Sequence, residues 1–199
     1  MLGGIYVEAY MLKSAVLTAA IALLPLGASA QPAAHAMNMS STMSDEAMIK
    51  SAMSAAPASV AAGAAIIKIG PKGDITELRK GTNGFTCMAD NPTTPGPDPM
   101  CLDANGLAWA QAWMGHTTPA ADRVGFIYML AGGTDASNTD PYAEKPMADN
   151  NWVSTGPHVM VVGAMPMMQG YPEGPKPDTS KPYVMWAGTP YAHVMIPVH

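Results

Sequence analysis

Along this chain the apolar positions fall into short runs whose period changes from place to place. Residues 14–26 are mostly apolar, follow Lys13, are broken by Pro25 and lead into Ala28-Ser29-Ala30. A run of that length ending in small residues predicts a signal peptide over residues 1–30, cut after Ala30. Met11 is the better start, because residues 1–10 carry Glu8 and no basic side chain. The run is short for a membrane span, and no cysteine follows the cut to carry a lipid. Residues 31–43, rich in Ala, Ser and Met without a steady period, predict a flexible leader ahead of one globular domain over residues 44–199.

Helical spacing follows. Ser44 can cap a helix whose first turn holds Asp45 and Glu46, whose apolar side is Met48, Ile49, Ala52 and Met53, and which Pro57 stops. A second helix is predicted over residues 104–114, capped by Asp103, with Trp109 and Trp113 four positions apart and able to meet on one face. Elsewhere glycine and proline punctuate runs with β-branched content. These predict about six short strands at 65–69, 75–80, 124–130, 158–163, 183–187 and 191–198, with 85–88 as an extension of the sheet. No alternation of strand and helix is visible, and several runs are apolar on both faces. The expected fold is therefore α+β, a mostly antiparallel sheet or sandwich with one or two helices packed on it.

Composition sharpens this picture. Nineteen glycines and nineteen prolines among 199 residues exclude a helix bundle and predict a loop-rich chain. With 10 basic and 15 acidic side chains the net charge is −5, so nucleic acid is not an expected partner. The two cysteines, Cys87 and Cys101, bracket a proline-rich segment, and in an exported protein such a pair predicts a disulfide.

Methionine is the anomaly. Of 18 methionines, 16 remain once Met1 and Met11 are set aside, against four leucines beyond residue 30. As core filler methionine replaces leucine, yet it is prone to oxidation outside the cytoplasm. Histidine adds a pattern: His35-Ala36-Met37, His158-Val159-Met160 and His193-Val194-Met195 each place a methionine two residues after a histidine. In a strand, positions i and i+2 share a face, so imidazole and thioether project side by side, a soft donor pair suited to Cu(I). The expected metal set is His158, Met160, His193 and Met195, with His35, Met37 and Met39 as a weaker leader site. The leader, with Met43, resembles the Met-rich tails of bacterial copper-handling proteins. Cupredoxin-like copper chaperones place a further His or Met 22 residues before the pair, where this chain has Ala136 and Tyr171, so that family's spacing is absent. A blue-copper centre needs a free thiolate, which the disulfide removes.

Two other classes compete with a metal-binding protein. Asp122, Asp135, Asp140 or Glu144 with His158 or His193 as base would make a hydrolase, although no nucleophile elbow, phosphate-binding loop or zinc helix motif is present. A module for an exported protein partner, without metal, would use Tyr142, Tyr171, Tyr183, Pro190 and Tyr191 as its contact surface. His116, just past the tryptophan helix, is placed to interact with that helix's C-terminus.

Overall fold

A computed structural model describes residues 43–70, 73–163 and 165–198. The expected signal peptide and nearly all of the leader, including His35, Met37 and Met39, lie outside the described residues.

Helix α1 (Asp45–Met53) begins as its sequence demands, with the Ser44 hydroxyl accepting from Ala47 N at 3.2 Å. It does not continue to Pro57. The chain leaves the helix at Ser54, and Pro57 instead starts a one-turn helix α2 (Ala58–Ala61), where a residue lacking an N–H costs nothing. The Arg79 guanidinium then donates to the carbonyl of Ala61, the last residue of α2, and to that of Ala64 beyond it, tying the end of the helix to the strand that ends at Arg79.

Eight strands form one sheet: β1 (Ala65–Ile69), β2 (Ile75–Arg79), β3 (Thr86–Met88), β4 (Met100–Leu102), β5 (Gly125–Met129), β8 (His158–Val162), β9 (Tyr183–Met185) and β10 (His193–Pro197). Their spatial order is β2-β1-β3-β4-β5-β8-β10-β9, antiparallel throughout except for the parallel pair β1–β3. Strands β6 (Ala136–Ser137) and β7 (Trp152–Val153) make a separate two-stranded ribbon. The fold is thus α+β and mostly antiparallel as expected, with more strands than the predicted six and no sandwich of stacked sheets among the described residues. The missed central strand, β4, is three residues long and follows Pro99, too short to show a period.

Cys87 and Cys101 face each other across β3 and β4 and are joined, as expected, by a disulfide. Both are fully buried beneath α1 with Ala52, Ala55 and Ile66, on one face of the sheet. Farther along that face a 3-10 helix (Met165–Met168) brings Met168 against Val161, Val184 and Val194.

The opposite face carries α3 (Ala104–Met114), capped by the Asp103 carboxylate accepting from Gly106 N at 2.7 Å. This helix lies unusually close to β5. A Cβ on Gly125 would overlap the backbone of Gly106, and a Cβ on Gly106 would come within 2.8 Å of Phe126 O, so glycine at both positions lets the two backbones touch. Trp109 and Trp113 are thereby set directly above the centre of the sheet, in a core shared with Leu102, Ile127, Met129, Val162 and Met195. Among the described residues no helix is long and apolar enough to cross a membrane.

Candidate functional site

The two His-x-Met pairs meet because of strand register. On β8 and β10, Met160 lies directly opposite Met195, while His193 opposes Val162 and His158 opposes Pro197. Directly opposed residues share a face, and so do i and i+2, so all four side chains project to the same side of the sheet, the side covered by α3. The methionines form the central cross-strand pair. The histidines flank them on opposite strands, four register positions apart, or about 13 Å along the strand direction. All four line one cavity of about 670 Å³. Its floor also includes Met129 and Met185, which oppose His158 and His193 respectively, and Met100.

Both imidazoles are held the same way. His158 Nδ1 lies 2.7 Å from Gly156 O, and His193 Nδ1 lies 2.9 Å from Tyr191 O, in each case the carbonyl two residues earlier. A carbonyl only accepts, so each Nδ1 carries the proton, and in the neutral ring the lone pair is on Nε2. His193 is completely buried, and its Nε2 has no hydrogen-bond partner among the described residues. Burial pushes the His193 imidazole down to about 4, against the opposing hydrogen bond to the Tyr191 carbonyl and with a smaller downward push from His158. Burial lowers His158 too, against the Gly156 carbonyl. Both rings are therefore neutral donors near neutral pH, the state a metal requires.

Space for His158 is made by Gly133, where a Cβ would stand 2.7 Å from His158 Cε1 and 2.5 Å from Thr155 Oγ1. The cavity wall is aromatic. Trp109 and Trp113 do not simply stack on each other: Trp186 is stacked with both, at 6.2 Å and 5.5 Å between ring centroids, and Trp109 and Trp186 present to His193 edge-on at 5.3 Å and 4.9 Å. Trp186 was expected to lie within a strand ending at 187. Instead β9 stops at Met185 because Trp186 takes φ +57°, a left-handed conformation rare for a bulky residue. The β6 ribbon holds it there, Trp186 N donating to Asn138 O at 2.9 Å and its Nε1 to Ser137 O at 2.8 Å. Nothing local in the sequence signals that role.

The predicted acids are divided. Asp135, Asp140 and Glu144 reach the rim of this cavity, whereas Asp122 is not among its lining residues. Neither imidazole donates its Nδ1 proton to a carboxylate, so the base-orienting contact of a hydrolytic dyad is not formed. Among the described residues no three His, Cys, Asp or Glu side chains gather as a metal-binding group, so a metal held here draws on thioether sulfur. Of the expected contact surface, Tyr183 and Tyr191 are buried, while Tyr142 and Tyr171 are exposed. His116 stacks on Tyr142 at 4.1 Å. Comparison with protein-family models, with curated proteins and with solved structures finds no match to this chain.

Proposed function

We propose that this is an exported binding protein, periplasmic or secreted, whose ligand is a soft monovalent metal, Cu(I), held by the central Met160–Met195 pair and the Nε2 atom of one flanking imidazole, His193 or His158. The observation that supports it most is the matched pair of imidazoles, each with Nδ1–H tied to a backbone carbonyl, lining a cavity floored by thioethers. Locking Nδ1 in this way fixes the tautomer and ring orientation of metal-binding histidines. The buried, unpartnered Nε2 of His193 otherwise forfeits a hydrogen bond for no return. Soft sulfur and imidazole favour Cu(I) over Mg or Ca, which require oxygen.

The test is a competitive Cu(I) titration of the protein after signal removal, under reducing and metal-clean conditions. His158→Ala/His193→Ala and Met160→Leu/Met195→Leu are expected to lose at least about tenfold in affinity. Unchanged affinity in both variants overturns the folded site. Loss confined to a protein lacking residues 31–43 places capture in the Met-rich leader instead.

A further inference from the structure

A metal on the floor accounts for little of a cavity this large, and nothing in it explains the rim. Three exposed carboxylates, Asp135, Asp140 and Glu144, stand around the mouth, and among the described residues no lysine or arginine lines the cavity. Among the described residues neither Asp135 nor Glu144 makes an ion pair. A cleft lined by one sign of charge concentrates ligands of the other sign. The walls are apolar and aromatic: all four tryptophans of the chain, Trp109, Trp113, Trp152 and Trp186, converge here.

At the floor two buried polar atoms lack partners among the described residues, the Trp109 Nε1–H, a donor, and His193 Nε2, an acceptor. Their rings are 5.3 Å apart, edge to face. A hydroxyl both accepts and donates through a single oxygen, so one such group can satisfy the two. A carboxylate would be repelled at the rim and has no proton for His193, while a plain hydrocarbon would leave both atoms unpaired.

From these three zones we propose that the cavity binds an amphipathic organic amine: an ammonium group at the acidic rim, a flat apolar body against the indoles, and a hydroxyl at the far end between Trp109 and His193. Such a ligand and a soft metal bound through His193 draw on the same lone pair, so they exclude each other and each is tested without the other. The amine proposal stands independently of the metal reading.

The experiment titrates the metal-free protein, in the presence of a chelator, with tyramine as the probe, followed by calorimetry and tryptophan fluorescence. Phenethylamine lacks the hydroxyl and 4-hydroxyphenylacetate replaces the ammonium by a carboxylate. Tyramine is expected to bind saturably and to perturb the fluorescence, and each of the other two to bind at least tenfold more weakly. Asp135→Asn/Glu144→Gln, both exposed sites, is expected to weaken tyramine about tenfold without lowering the melting temperature. Trp109→Phe is expected to bring tyramine down to the level of phenethylamine; if that variant does not fold, the phenethylamine comparison alone decides the floor contact. Absence of saturable tyramine binding overturns the proposal, as does equal binding of either control compound or indifference to the rim substitutions.

Discussion

His193 concentrates most of what is unusual about this protein at the scale of a single residue. Its ring is fully buried, its one hydrogen bond among the described residues is the Nδ1–H to Tyr191 O, and its pKa falls to about 4 from the usual 6.5. The unfolded chain therefore takes up a proton between those values that the folded protein refuses. Stability is unaffected by this group above pH 6.5 and declines as the pH drops toward 4. Complete burial makes the effect on the order of 3 kcal/mol. Melting the metal-free protein across pH 7 to 4 should show that decline, with His158 adding in the same direction, and His193→Leu should flatten it. A profile equally steep in the variant would show that other groups govern acid unfolding.

At the scale of the element, α3 decides whether there is a cavity at all. The helix is well specified locally, by the Asp103 cap and by good helix formers, but its height above the sheet depends on Gly106 meeting Gly125. Gly125→Ala is expected to lift the helix from β5 and to cost about 1–3 kcal/mol, the usual range for overpacking. Because Trp109 and Trp113 ride on α3, the near-ultraviolet circular dichroism of the indoles should change with the melting temperature. An unaltered spectrum at full stability would show that the contact tolerates a methyl group. The short strands tell the complementary story. β8 and β10 were legible as apolar runs, but β4 was not, since three residues between a proline-rich loop and a helix cap carry no period.

For the whole molecule, the disulfide joins the neighbouring strands β3 and β4 and closes the loop that runs from them to the cavity. Cys87 and Cys101 lie under α1 on the far face, yet the segment they bracket contributes Thr93, Thr94, Pro95 and Asp98 to the cavity. That segment is further braced by Asp98, whose carboxylate accepts from the Thr94 hydroxyl at 2.9 Å. Opening a loop of this size removes about 3 kcal/mol in the chain-entropy account. Reduction should lower the melting temperature and raise hydrogen exchange most strongly in residues 89–99. If exchange there were unchanged, the prolines and the Asp98 contacts would be sufficient to order the loop.

What the sequence determined by itself is local: the caps at Ser44 and Asp103, the glycine and proline breaks, the strand-like runs, and two cysteines suited to one bridge. Each depends on neighbours within a few positions, where steric and hydrogen-bonding rules act directly. It also showed that His158 and Met160, and His193 and Met195, would share a face within their own strands, because the side-chain period of a strand is two. Tertiary structure alone decided that the two pairs share one face with each other. They are 35 positions apart, and a shift of one residue between β8 and β10 would have changed which residues stand opposite one another. The same is true of Trp186, turned by a left-handed backbone and held by the β6 ribbon, and of Gly133, whose missing side chain is the space His158 occupies. These are relations of register and close approach between distant segments, and the composition of neither segment encodes them.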